Sequence, residues 1–316
     1  MNKRRNIIID CDPGIDDVIA ISLAIANEDK LNILGITTVA GNQTIEKVTK
    51  NTLGLLSFFD KDIKVAKGAK GPLIRQKRPA SNVHGENGVG DYEFPEPKEL
   101  YSNNAVIFLR DAIMNSDDKV TLVPVGPLTN IALLIKTFPE VMEKIELLSI
   151  MGGSTNGGNI TPSAEFNIWA DPEAARIVFD SRLNIVMSGL NVTHSTGLNR
   201  DDVDKLVKSK GKATRMFGEI LDFYFRGDHV NNGTFTPIHD ACSIMYLLHP
   251  ELYQYKHMDV NVDCSEELSR GNTICDVREW IKYDDTYPRV LTYVDSEKFT
   301  ELLLDNLYSL DKKFNI

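Results

Sequence analysis

The sequence predicts an α/β fold, a single domain in which helices flank a mainly parallel central sheet. Three observations lead there. Short runs of β-branched and apolar residues alternate with segments of helical length, the order expected when strands align side by side and helices cross between them. Acids and amides recur just past the ends of those apolar runs, the edge at which open α/β sheets bind ligands. No internal repeat, low-complexity tract or linker divides the 316 residues, a length that such folds often fill as one domain, 1–316.

The first run, Ile7-Ile8-Ile9, is too short for a helix and suits a strand buried on both faces. It ends in Asp10-Cys11-Asp12-Pro13-Gly14-Ile15-Asp16-Asp17. Pro13 lacks an N–H and pushes the preceding residue towards extended geometry, and Gly14 permits a tight turn. Val18, Ile19, Leu23 and Ile25, mixed with Ala20 and Ala24, then read as a largely buried helix with Asp16 or Asp17 in its first turn. Four carboxylates thereby gather at one strand end. Helix capping and a solvated turn account for one or two of them, not for all four. Like charges this close take up protons unless a cation neutralises them, and carboxylate oxygens suit calcium or magnesium better than zinc. Cys11, inside the motif, reads as a small buried hydrophobe.

Residues 31–40 form the next predicted buried strand, which runs into Gly41-Asn42. A helix is expected at 44–59 and a short strand at 62–66. Residues 67–100 carry Gly, Pro and charge without a period, and a loop of that length in a compact domain is usually functional or mobile. It contains Ser81-Asn82-Val83-His84-Gly85-Glu86-Asn87-Gly88. A helix at 103–115 and a strand at 120–125 follow, then Gly126-Pro127-Leu128-Thr129-Asn130 opens another helix. The strand at 145–151 ends in Gly152-Gly153 and a polar loop, 154–163, bearing Asn159. In Glu165-Phe166-Asn167-Ile168-Trp169-Ala170-Asp171-Pro172-Glu173, the last three residues are the N-cap, first position and first-turn charge of a helix. Glu165 and Asn167 precede it on a segment expected to be irregular. Further along come a strand at 185–188, helices at 201–209 and 212–225, and Asp201-Asp202 as cap and first-turn charge. Residues 226–236 break the helix and lead to His239-Asp240 at the head of an apolar helix. Strands at 259–262, 275–278 and 289–294 and a helix at 296–310 close the chain.

Hydrophobic residues at 42% and charged residues at 25% are ordinary for a globular protein. A formal net charge of −10 disfavours nonspecific nucleic-acid binding and anionic membrane surfaces, which leaves small neutral or cationic ligands as the easier partners. No run approaches transmembrane length, and the basic start of the chain has no apolar stretch of signal-peptide type behind it. Cys11, Cys242, Cys264 and Cys275 show no paired short spacing, so neither a zinc site nor a disulfide framework is expected, and the protein reads as cytoplasmic.

Asp-x-Asp-Pro-Gly-x-Asp-Asp before an apolar helix resembles the signature of the inosine-uridine-preferring nucleoside hydrolases, calcium-dependent enzymes that split the N-glycosidic bond of ribonucleosides. Motif order and spacing match that family from Ile7 to at least Cys242. The resemblance implies a nucleoside hydrolase-like, Rossmann-like domain, assembled as a homotetramer or homodimer, with segments near 76–92 and 223–237 mobile over the site. It implies calcium held by Asp12, Asp17, Asp240, the main-chain carbonyl of Val125 and Asp10. Where the family often has Thr, this chain has Val125, a difference of little weight because the ligand is main chain. Asp16, Asn42, Asn159, Glu165 and Asn167 would grip the ribose, His84 would border the nucleoside, and His239 would assist the departing base. Asp12 would also be the general base, activating a metal-bound water that attacks an oxocarbenium-like ribosyl centre. His84 and His239 lean towards pyrimidine nucleosides such as uridine. Two other classes compete: a calcium-dependent nucleoside or sugar binder without catalysis, and an Asp-x-Asp phosphohydrolase. The second wants a flexible loop after its second Asp and a downstream Lys, which Pro13-Gly14 and Glu165-Phe166-Asn167 fit poorly.

Overall fold

A computed structural model describes residues 3–76, 84–90, 92–226 and 234–315. The chain runs β1 (Arg5–Cys11), α1 (Ile15–Ala26), β2 (Leu31–Thr38), α2 (Ile45–Phe58), β3 (Val65–Lys67), α3 (Ala105–Met114), β4 (Val120–Pro124), α4 (Thr129–Thr137) and β5 (Ile145–Met151). It continues through α5 (Phe166–Ala170), α6 (Pro172–Phe179), β6 (Ile185–Ser188), α7 (Leu190–Thr193), β7 (Gly197–Asn199), α8 (Arg200–Val207), α9 (Lys212–Arg226) and β8 (Phe235–Pro237). The last elements are α10 (Ala241–Leu248), β9 (Tyr253–His257), β10 (Val260–Val262), β11 (Thr273–Cys275), β12 (Arg289–Val294) and α11 (Ser296–Phe314).

Eight strands form one sheet in the order β3-β2-β1-β4-β5-β6-β12-β9, with all neighbours parallel except the β12–β9 pair. The strands wind outward from β1 to β3, then return to place β4 on the other side of β1. That reversal makes the β1/β4 boundary the switch point at which such sheets open a crevice at their carboxyl ends.

Side-chain alternation along β1 divides the core into two layers. Ile7, Ile9 and Cys11 pack with α1, α9, α10 and α11, whereas Ile8 packs with α3, α4 and α6 on the opposite face. The same alternation turns Asp10 to the side of α4. The carboxylate of Asp12 lies past the last strand residue, at the crevice.

The structure corrects several local expectations. Glu165 and Asn167 are not on an irregular segment: Asn167 lies inside the short helix α5 and Glu165 is its N-cap. Asp201-Asp202 does not cap α8, because Asn199 does so, its Oδ1 accepting from the Asp202 N–H at 2.9 Å. The strand expected at 275–278 is β11, which ends at Cys275 and pairs with β10 in a separate antiparallel hairpin. The antiparallel edge strand β9 has no counterpart among the expected strands. Three of its five residues are exposed, so it lacks the apolar run that marks a buried strand. No helix among the described residues is long and apolar enough to cross a membrane. Of the segments expected to be mobile, 77–83, 91 and 227–233 lie outside the described residues, including Ser81, Asn82 and Val83.

Candidate active site

The signature turn carries Asp17 into a double role. At the third position of α1, its Oδ2 accepts from the Gly14 N–H at 2.9 Å and its Oδ1 from the Asp12 N–H at 3.0 Å. These bonds satisfy orphan donors at the helix start and fix the turn. They also aim the neighbouring acids inward. Carboxylate oxygens of Asp16, Asp17 and Asp240 all lie within 4.8 Å of one another, each residue being buried. Asp240 reaches this point from the turn before α10, where its side chain makes no capping bond.

Asp12 is fully buried at the end of β1. Its Oδ2 accepts from the Asn42 main-chain N–H at 2.6 Å, and its Oδ1 has no hydrogen-bond partner. Two glycines make room for it: a Cβ on Gly41 would stand 2.1 Å from Oδ2, and one on Gly126 would stand 2.5 Å from Oδ1. Gly126→Ala therefore has to displace the Asp12 carboxylate, and a shift of about 1 Å in a reacting group can cost ~100-fold in rate. We expect kcat for nucleoside hydrolysis to fall by about that factor, measured beside a melting curve to separate misplacement from unfolding.

Asp10 is held differently. Its Oδ1 accepts from Thr37 Oγ1 at 2.5 Å and Asn130 Nδ2 at 2.7 Å, while its Oδ2 is buried without a partner. The structure brings neither Asp10 nor Asp12 into the trio of Asp16, Asp17 and Asp240; Asp10 stands on the α4 side, bonded to Asn130. Val125 is buried, and its carbonyl accepts from Asn167 Nδ2 at 2.9 Å, which leaves its second lone pair.

Burial pushes the carboxyl pKa of Asp10 up to about 7, and Thr37 and Asn130 only partly offset it. Asp16 also rises to about 7, through burial and then the repulsion of Asp17. Asp12 and Asp240 rise well above the carboxylate range for the same reasons, and burial raises Asp17. No Lys or Arg pairs with any of these five acids among the described residues. Oxygen-only donors, uncompensated negative charge and unpartnered buried oxygens fit a hard divalent cation, and Asp16, Asp17 and Asp240 are the acids gathered closely enough to hold one.

The remaining predicted residues divide into those at the cluster and those apart from it. Asn42 is turned onto the acids, its Nδ2 lying 3.3 Å from both the Asp12 carbonyl oxygen and Asp17 Oδ2. Glu165 caps α5: Oε1 accepts from the Asn167 N–H, Oε2 from the Gly153 and Ile168 N–H groups, and burial raises its pKa to about 7. Asn167 Nδ2 also reaches the Met151 carbonyl at 3.2 Å, so its amide bridges the ends of β4 and β5. Asn159 is exposed, its Oδ1 accepting from the Phe166 N–H at 3.0 Å. It stands apart from the buried acids.

His84 packs over Gly14, where a Cβ would be 2.5 Å from its Nδ1. That nitrogen accepts from the Ile15 N–H at 3.3 Å and faces the Tyr224 hydroxyl at 3.4 Å, so the proton of the neutral ring belongs on Nε2. Burial lowers its pKa from 6.5 to about 4. The folded state thus disfavours the imidazolium. Stability is present above pH 6.5, where the unfolded His is also neutral, and is lost as pH falls towards 4. His84→Gln should remove about 3 kcal/mol of that acid sensitivity, seen as a shallower fall in denaturation midpoint between these pH values than in wild type. His239 is partly buried beside Asp240; burial first, then His194 and His84, lower its pKa to about 3. Its Nδ1 lies 2.7 Å from Thr193 Oγ1, and its ring meets that of His194 edge-on at 5.6 Å. Thr37, Asn130, Thr193 and Tyr224 all touch predicted site residues, yet none carries a local sequence signal, because each contact spans 27 to 140 residues of chain.

Buried carboxylates and amides, groups suited to a hard cation and a polyol, thus gather at the switch point of a single α/β domain with a mostly parallel sheet. Residues 7–301 match the family model described as inosine-uridine preferring nucleoside hydrolase. The chain belongs to that family and is a nucleoside hydrolase. It is 43% identical over 307 residues to the pyrimidine-specific ribonucleoside hydrolase RihA of Shewanella sp. (strain MR-7), covering 96% of each chain. It is 42% identical over 276 residues to the pyrimidine-specific ribonucleoside hydrolase RihB of Escherichia coli (strain K12), covering 87% of this chain and 88% of the other. Among solved structures, a purine-preferring ribonucleoside hydrolase from Gardnerella vaginalis superposes with a TM-score of 0.90 at 30% identity, over 98% of this chain and 100% of that one.

Proposed function

We propose that this chain hydrolyses the N-glycosidic bond of ribonucleosides in a calcium-dependent reaction, preferring pyrimidine bases. The observation that carries the mechanism is Asp12 Oδ1, a buried carboxylate oxygen without a partner, on a residue whose N–H donates to Asp17 of the Asp16, Asp17 and Asp240 trio. Asp12, Asp17, Asp240 and the Val125 carbonyl would hold the cation, and Asp10 supports the turn from behind through Thr37 and Asn130. When bound, calcium supplies Lewis acidity that eases deprotonation of water and an anchor for vicinal hydroxyls. Asp12 Oδ1 takes a proton from the water that attacks the anomeric carbon. Asp16, Glu165 and Asn167 hold the ribose hydroxyls, with Asn42 keeping Asp12 and Asp17 in place and Asn159 at the rim. Contacts that tighten as the ring flattens favour the oxocarbenium-like transition state. His239, neutral at working pH, helps the base leave by hydrogen bonding rather than as an imidazolium acid.

The pyrimidine preference is supported by the names of the relatives at 42–43% identity, against the purine-preferring neighbour at 30%. Four free cysteines suit a reducing compartment such as the cytoplasm. His84 and Tyr224, which face each other across 3.4 Å, border the base, and the enzyme works as a homotetramer or homodimer. Ribose release from uridine, cytidine, inosine and adenosine tests the substrate class. Uridine and cytidine should lead; faster release from inosine overturns the pyrimidine preference, and ribose release from none of the four favours a non-catalytic binder.

A further inference from the structure

We propose that Thr193 is a positioning residue that fixes which nitrogen of His239 carries the proton, and thereby makes His239 a hydrogen-bond donor to the departing base. The inference rests on the role given to His239 above.

Thr193 ends α7, the short helix that follows β6, and is fully buried. Its Oγ1 stands 2.7 Å from His239 Nδ1, and no other side-chain bond from that hydroxyl occurs among the described residues. The two segments are locked in register around this contact. The Ile238 N–H donates to the Thr196 carbonyl at 2.8 Å, Thr196 Oγ1 lies 3.0 Å from Cys242 Sγ, and β7 pairs with β8 from Gly197 opposite Pro237. Thr196 in turn donates through Oγ1 to the Thr193 carbonyl at 3.0 Å. With the His194 ring edge-on at 5.6 Å, the imidazole of His239 is held at Nδ1 and along one flank. Nε2 is the ring nitrogen left to address a ligand.

A hydroxyl can donate or accept, whereas a neutral imidazole has one donor and one acceptor nitrogen. A Thr193 hydroxyl that donates to Nδ1 makes Nδ1 the acceptor and puts the ring proton on Nε2. The departing nucleobase accumulates negative charge on its nitrogen and carbonyl oxygens as the glycosidic bond breaks. A donor at Nε2 stabilises that charge, and an acceptor there opposes it. His84 provides a precedent within the same molecule, since its Nδ1 is likewise occupied by the donor N–H of Ile15.

The test compares Thr193→Val, which keeps the shape and loses the donor, with Thr193→Ser, which restores a hydroxyl, on the full chain supplied with calcium. Two substrates are used: uridine, and a riboside with a nitrophenolate leaving group that needs no donor to depart. Thr193→Val should lower kcat on uridine about 10- to 100-fold with KM within about twofold, leave the nitrophenyl riboside nearly unchanged, and be largely rescued by Thr193→Ser. Nitrogen-15 NMR of the His239 ring should show the proton on Nε2 in wild type and a mixture of tautomers in Thr193→Val. Equal losses on both substrates, or wild-type turnover of uridine by Thr193→Val, overturn the proposal. His239→Ala, which leaves no donor at this position, separates the two claims. If it slows uridine while Thr193→Val does not, only the tautomer proposal fails; if it slows neither substrate, the role of His239 itself fails.

Discussion

Asp12→Asn should lower kcat for ribose release about 1,000-fold or more at saturating uridine and calcium, the range expected for removal of a general base. The substitution preserves volume, and the new side chain can still accept from the Asn42 N–H that now meets Oδ2. What it removes is the basic oxygen, Oδ1, which is buried and makes no hydrogen bond. Affinity for ribose, measured by titration of the sugar in the presence of calcium, should change by only a few fold, because Asp16, Glu165 and Asn167 are untouched. Near-normal turnover by Asp12→Asn removes Asp12 as the base.

Asp240→Asn has the second largest expected effect, and it acts in opposite directions with and without the cation. Asp240 faces Asp16 and Asp17 from the head of α10, and like-charge repulsion adds to burial in raising its pKa. Losing one charged ligand should weaken calcium binding about 100-fold or more and reduce activity in proportion at low calcium. In the presence of a chelator the order of stability inverts. The variant then buries one fewer carboxylate among like charges and should melt above wild type, by roughly 1–2 °C for each kcal/mol of repulsion relieved. Calorimetry of both proteins with calcium and with chelator measures both arms. A variant that melts below wild type in chelator contradicts the electrostatic account of this cluster.

The parts of the site that sequence reveals are those made by short-range geometry. Asp10 to Asp17 are joined by one strand end, one Pro-Gly turn and one helix start, so their convergence follows from the chain itself. Ile7, Ile8 and Ile9 announce a doubly buried strand for the same reason. Side-chain alternation, equally local, sends Asp10 to the α4 face and away from Asp16, Asp17 and Asp240, but its meaning depends on what lies there, and Asn130 comes from 120 residues later. The Thr193–His239 bond spans 46 residues and joins two ordinary residue types. Helix α5 carries no sequence signal because five residues cannot display a helical period, and its cap, Glu165, reads equally well as a ligand group. The edge strand β9 is exposed along Gln254, Tyr255 and Lys256 and mostly polar, so the apolar run that marks the inner strands is missing.

The most direct measurement titrates calcium into chelator-treated protein by calorimetry while ribose release from uridine is followed at the same calcium concentrations. One cation bound per chain, with turnover rising in parallel with occupancy and lost again on chelation, is the predicted result. Full turnover of uridine with no divalent cation bound would contradict the assignment of the Asp12, Asp17, Asp240 and Val125 cluster as the centre of the reaction.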